Sequence, residues 1–146
     1  FNGALTREEA KTTTFAWLYS QRSNESLERL YNKSLVQNKY WDGFKINTDY
    51  GRLIEDVDDH HALNYIVQST TIDMVHEQAY KVYELLKGRK SYISFLIHDA
   101  VYIDLAEEDR YEILKLLDTF KQTRYGVFKV NVSAGKNLGE MKELRL

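Results

Sequence analysis

The hydrophobic and polar positions change period several times along the chain. Thr6-Arg7-Glu8-Glu9 places a capping hydroxyl three residues before a glutamate that can reach back to it, which predicts a helix over residues 7–19. Ser23 or Asn24 can cap a second helix running through Leu35, and residues 36–47 are mixed in character. Asp49-Tyr50-Gly51 reads as a turn between short extended segments at 44–47 and 52–56. Asp58 and Asp59 supply the cap and first-turn acid of a long helix, and Gly88 is placed to end it. Two apolar, strand-like runs at 92–97 and 101–105 are separated by His98-Asp99-Ala100, at hairpin spacing. Ile113, Leu114, Leu117 and Phe120 recur at helical spacing within a helix predicted over 107–122. Residues 127–132 alternate as a half-buried strand does. The predicted fold class is α+β, with antiparallel strands and helices packed on one face.

A chain of 146 residues, 43% hydrophobic, can bury a core in one domain or two joined lobes. Its net charge of −2 is not the bulk signature of a nucleic-acid binder, so such a role requires its cations to be gathered on one surface. No cysteine is present, which excludes disulfides and thiolate metal sites, and His60, His61, His76 and His98 match no zinc spacing. No apolar run approaches the ~20 residues that span a bilayer, and no signal-peptide pattern is seen. No membrane association and a cytoplasmic location are therefore expected. The sequence opens on Phe1 rather than methionine, which suggests that further sequence precedes it.

Candidate chemistry begins in the first helix. Arg7, Lys11, Phe15 and Tyr19 follow one another at i, i+4 steps, and each step drifts by about 40°. They form one slowly winding stripe, cationic at the helix N-terminus and aromatic beyond it. A nucleoside triphosphate has the matching shape, anionic at one end and flat at the other. Spacing alone is met more often by an ordinary amphipathic helix, with its basic residues outside and its aromatics inside. Asn64 and Gln68 stand one turn apart on the long helix, and their carboxamides suit minor-groove acceptors; a solvated polar face is the plainer reading. Asp99 sits at a tight turn between apolar strands, where a carboxylate is held exposed. Hard Mg²⁺ prefers such oxygens, although one carboxylate does not make a site.

Taken in order, these segments resemble the C-terminal part of the family A (polymerase I-like) DNA polymerases. Arg7-x3-Lys11-x3-Phe15-x3-Tyr19 is similar to their motif B. Thr48-x2-Gly51-Arg52 is similar to a small hairpin before their primer-template helix. Asn64-x3-Gln68-Ser69-Thr70-x2-Asp73 is similar to that helix. Ile97-His98-Asp99-Ala100-Val101 resembles motif C, and Gly135-Lys136-Asn137-Leu138 resembles the terminal element. Ser20, His60, Ser69 and Ala100 stand where the family has glycine, arginine, glycine and glutamate.

The resemblance implies a reduced helical fingers portion at 1–47 and the C-terminal half of a palm at 48–146, with an antiparallel palm sheet. It implies that Arg7 and Lys11 hold the triphosphate of a deoxynucleotide, Lys11 also serving catalysis, and that Phe15 and Tyr19 shape the base and sugar pocket. Arg52, Asn64, Gln68 and His98 would contact primer-template DNA, and Asp99 would be a catalytic ligand of Mg²⁺. Motif A and a thumb are not found in this sequence, so synthesis would need an upstream segment or chain that carries them. The short stretch between Tyr19 and Gly51 is similar to compact, phage-type members. The alternative is a polymerase-derived module that binds nucleotide or DNA without catalysis, which Ala100, His60 and Ser69 favour.

Overall fold

The computed structural model describes residues 6–18 and 32–144, which form two compact units, Phe1–Thr71 and Ile72–Leu146. Helix α1 (Arg7–Leu18) opens the first unit. Its capping box is formed: the Glu9 amide donates to the Thr6 hydroxyl at 3.3 Å, and the Thr6 amide donates to the Glu9 carboxylate at 2.8 Å. The start of the second predicted helix lies outside the described residues. Among the described residues, helix α2 (Lys33–Tyr40) is capped by Asn32, whose side chain accepts from the Leu35 amide at 2.9 Å. It runs past the predicted end at Leu35 because Val36 and Tyr40 pack on the unit's core. Tertiary burial thus extends a helix through residues whose own pattern is mixed.

Strands β1 (Ile46–Asn47) and β2 (Leu53–Ile54) pair antiparallel, Ile46 opposite Ile54. Gly51 closes their turn at φ 76°, a conformation that favours glycine, and donates to the Thr48 carbonyl at 2.8 Å. Ile46, Val57, Ala62 and Ile66 make the core, with Trp41 laid against it and its indole N–H donating to the Val57 carbonyl at 2.9 Å.

Helix α3 (Asp59–Leu86) runs through the boundary between the units. Asp58 caps it by accepting from the His61 amide at 2.9 Å, and Gly88 follows its end at φ 77°. Buried positions recur at Ala62, Leu63, Ile66 and Ser69, then at Val75, Gln78, Ala79, Val82 and Leu86. The step from Ser69 to Val75 is too long for one helical stripe. The first set belongs to the first unit and the second set to the second.

In the second unit, β3 (Tyr92–Ile97) and β4 (Ala100–Asp104) form the predicted hairpin, with a bulge between Ile93 and Phe95. Ala100 belongs to the strand, opposite Ile97, so the turn is the two residues His98-Asp99. The helix predicted over 107–122 is two elements: a 3₁₀ helix (Glu107–Glu112) followed by α4 (Ile113–Lys121). The 3₁₀ geometry brings residues three apart onto one side, and it is Asp109 and Glu112 that turn inward there. The strand predicted over 127–132 is broken. β5 (Gln122–Thr123) pairs with β6 (Gly126–Val127), and β7 (Val132–Ala134) pairs with β8 (Lys142–Leu144). The fold is mixed α and β, and its eight described strands form four separate two-stranded antiparallel ladders. Among the described residues no helix is long and apolar enough to cross a membrane.

Candidate functional site

In the first unit, the stripe of α1 lies at the surface. The Arg7 side chain is 89% exposed and meets Glu8 at 3.3 Å, and Lys11 is exposed one turn on. Phe15 follows at 46% exposure, while Trp17, on another side of the helix, is buried. An amphipathic helix with its aromatics inside would have hidden Phe15; here the buried ring is Trp17, and the Lys33 ammonium stands 5.5 Å from its ring centroid and donates to the Trp17 carbonyl at 3.1 Å. The Glu9 carboxyl is held below the usual glutamate range, first by the Thr6 amide and then by the Thr6 hydroxyl, so the capping acid stays ionised beside Arg7 and Lys11. Tyr19 lies outside the described residues, so the stripe is described as far as Phe15.

Arg52 is exposed just beyond Gly51; its amide donates to the Thr48 hydroxyl at 3.2 Å, which fixes the backbone from which the guanidinium extends. On α3, the Gln68 amide donates to the Asn64 carbonyl oxygen at 2.8 Å. The two carboxamides form one bonded pair, leaving the Asn64 amine and the Gln68 carbonyl as the outward donor and acceptor. Ser69 behaves differently from its neighbour. It is buried, and its hydroxyl donates to the Tyr65 carbonyl of the same helix at 2.5 Å. Position 69 therefore belongs to the packed side of α3. His60 is exposed, its ring edge-on to His61 at 5.0 Å.

In the second unit, Asp99 and His98 are both exposed at the tip of the β3–β4 hairpin. His98 adopts φ 52°, a left-handed conformation uncommon for a residue other than glycine and costing about 1–2 kcal/mol. A positive φ is what the first position of a two-residue hairpin turn takes. Below the tip, Phe95 stacks on Tyr102 with centroids 4.5 Å apart and stiffens the ladder. As a hard oxygen donor, Asp99 fits one ligand position of a Mg²⁺ ion. Among the described residues no three histidine, aspartate or glutamate side chains converge as a metal-binding group. In the terminal element, Asn137 accepts from the Gly139 amide at 3.0 Å, and a Cβ on Gly135 would lie 2.7 Å from the Glu140 carbonyl oxygen. Glycine is thus demanded at 135 by close backbone approach.

One polar cluster has almost no signature in the sequence. The buried Asp109 carboxylate accepts from the Ser91 amide at 2.9 Å, the Ser91 hydroxyl at 2.8 Å and the Lys90 amide at 3.1 Å. Arg89 donates to Glu112 at 2.7 Å and to the Tyr111 hydroxyl at 2.9 Å. This cluster fixes the base of the hairpin that carries Asp99. Its one trace in the sequence is an acid run at 107–109 that reads equally as a helix start. The chain matches no protein-family model, no curated protein and no solved structure.

Proposed function

We propose that the chain is part of a DNA-directed DNA polymerase, a nucleotidyltransferase that extends a primer 3′ end with deoxynucleotides on a template. Residues 1–47 are its fingers portion and 48–146 the second half of its palm. The observation that carries this reading is the solvent-facing order on α1 of guanidinium, ammonium and ring, at Arg7, Lys11 and Phe15. It is supported by the sequence order of the Gly51-Arg52 hairpin, the Asn64/Gln68 pair and the His98-Asp99 turn after it.

Arg7 and Lys11 bind the triphosphate, and the Lys11 ammonium stabilises charge gathering on the leaving pyrophosphate. Phe15, with Tyr19, supplies a flat surface for sugar and base. Asn64 and Gln68 donate to and accept from base edges of the primer-template, Arg52 meets its backbone, and His98 positions the primer end. Asp99 would hold Mg²⁺, which when bound would supply Lewis-acid stabilisation of the phosphoryl oxygens. The primer 3′-hydroxyl attacks the α-phosphate in line, the bond to the β-phosphate oxygen breaks, and pyrophosphate leaves. An upstream segment bearing a second aspartate would complete the metal site.

The test is primer extension by the chain combined with that upstream segment. Extension is expected from the mixture and none from the chain alone. Asp99→Asn should lower the rate by about a thousandfold or more, a loss typical of removing transition-state charge stabilisation. A rate indifferent to Asp99→Asn defeats the reading. Deoxynucleotide binding that depends on Arg7 and Lys11, with no extension from any mixture, would instead mark a non-catalytic binding module.

A further inference from the structure

Within the second unit, Val82 and Leu86 of α3 pack on Leu116 of α4. Lys81 and Lys115, neighbours of Val82 and Leu116 in sequence, line an open cleft of about 500 Å³ together with Asp118, Thr119 and Gln122. Gln78, 1% exposed, fixes the two sides of this cleft to each other. With its amide nitrogen toward the end of α4 it donates to the Thr119 and Gln122 carbonyls at 3.1 and 3.0 Å, and its oxygen accepts from the Lys81 ammonium at 3.1 Å. The opposite orientation would set its oxygen against the two carbonyls, a costly arrangement for buried polar atoms. The charges around the cleft are unequally matched. Arg124 binds Glu77 at 3.1 Å, Arg89 binds Glu112 at 2.7 Å, and Lys121 pairs with Asp118. Lys81 and Lys115 are left with longer contacts, 3.7 Å to Glu77 and 4.0 Å to Glu112. Each of these three acids thus has a closer cation, and the two lysines keep most of their charge for the cleft.

We infer that this cleft binds a phosphate monoester of a polyhydroxy compound, such as a sugar phosphate. Lys81 and Lys115 hold the phosphate, and Asp118, Thr119 and Gln122 bond to the hydroxyls. A phosphate monoester carries a charge of about −1.5 to −2 near pH 7, which two ammoniums match. The other lining groups are a carboxylate, a hydroxyl and a carboxamide. The carboxylate only accepts, so it needs the O–H donors that a polyhydroxy group brings. The cleft is of a size that small-molecule sites have, about 300–1,000 Å³. A nucleotide fits less well, because no aromatic side chain lines the cleft to stack on a base. The site shares no residue with the α1 stripe or the His98-Asp99 turn and does not rest on the polymerase reading.

The experiment is isothermal titration calorimetry of the full chain at about 50 mM salt, with glucose 6-phosphate, glucose and inorganic phosphate as probes. Glucose 6-phosphate should bind, inorganic phosphate more weakly, and glucose not at all. Lys81→Gln with Lys115→Gln should weaken glucose 6-phosphate about tenfold or more, the loss typical of hydrogen bonds to a charged group. Lys129→Gln with Lys136→Gln, the same change of charge at residues outside the lining, should bind as the parent does. Thr119→Val should weaken glucose 6-phosphate about threefold and leave inorganic phosphate unchanged. An unchanged thermal melt controls for the folding of each variant. Phosphatidylcholine vesicles containing phosphatidylinositol 4-phosphate separate the two sources of such an ester. Sedimentation of the chain with them, dependent on Lys81 and Lys115, identifies a lipid headgroup, and its absence a free sugar phosphate. The inference is overturned if neither ester binds, or if inorganic phosphate binds as tightly as glucose 6-phosphate. It is also overturned if the Lys81 and Lys115 double variant keeps the parent's affinity, or if the Lys129 and Lys136 double variant loses as much.

Discussion

The two units of this protein are held together by different physics. The first centres on Ile46, Val57, Ala62 and Ile66, with Trp41, Tyr40, Val36 and Ile54 packed around them. Its cohesion is chiefly apolar burial, which has no preferred direction. The second has an apolar group of its own, Val82, Leu86 and Leu116 with Leu85, Ile93, Ile103 and Phe120 packed on it, and in addition the cluster of Arg89, Ser91, Asp109 and Glu112. Its hairpin base depends on directional bonds to buried carboxylates, which are costly to leave unmade. In the first unit Glu9 and Asp58, acids held below their usual range, sit at exposed helix caps, whereas in the second Asp109, held likewise, is buried at the base of the hairpin.

The largest expected effect lies in the apolar unit. Ile46 is fully buried, and Ile46→Ala should destabilise the first unit by about 2–5 kcal/mol, equally at neutral and mildly acid pH. Both tryptophans, Trp17 and Trp41, belong to that unit, so their emission during denaturant unfolding reads it selectively. A loss that grew as pH fell would break the contrast.

A smaller effect is expected from Asp109→Asn in the second unit. The Ser91 amide, then the Ser91 hydroxyl, hold the Asp109 carboxyl below the usual aspartate range. A depressed folded-state value contributes stability that is present above the unfolded value, about 3.9, and is lost as pH falls through the folded one. Asp109→Asn should therefore cost the second unit more stability at about pH 7 than at about pH 3, read by far-ultraviolet circular dichroism in denaturant. An equal loss at both would show that the charge of the Asp109 carboxylate contributes nothing.

The smallest effect sharpens the comparison within the first unit. Thr6→Ala removes the reciprocal cap of α1 and should cost about 1 kcal/mol. The change should appear as faster amide exchange in the first turn of α1, with Trp41 emission unchanged. A fall in overall stability as large as that of Ile46→Ala would place α1 inside the apolar core's cooperative unit.

What can be read in the sequence is mostly local. The Thr6–Glu9 cap, the Asp58 cap of α3, the Gly51 turn and the 92–104 hairpin are each specified by residues within a few positions of one another. The end of α2 is not legible there, because Val36 and Tyr40 are helical on account of a core supplied by Ile46 and Ile54. Nor is the 3₁₀ helix, because the partners of Asp109 and Glu112, Ser91 and Arg89, lie about twenty residues earlier. Strands β7 and β8 have three residues each, too few for alternation to declare them. For the candidate site, the sequence identifies residues that stand exposed, as Arg7, Lys11, Phe15, His98 and Asp99 do. It does not show that Asn64 and Gln68 bond to each other, nor that Ser69 beside them turns inward.

Ser91 has a consequence for how the hairpin moves. Its hydroxyl donates to Asp109 while accepting from the Ala106 amide at 2.9 Å, so a single oxygen fastens the chain just before β3 to the chain just after β4. The two legs cannot fray one at a time without breaking that shared fastening. The hairpin should therefore open from its base as a single foldon, and His98 and Asp99 ride on a lever whose fulcrum is one side-chain oxygen.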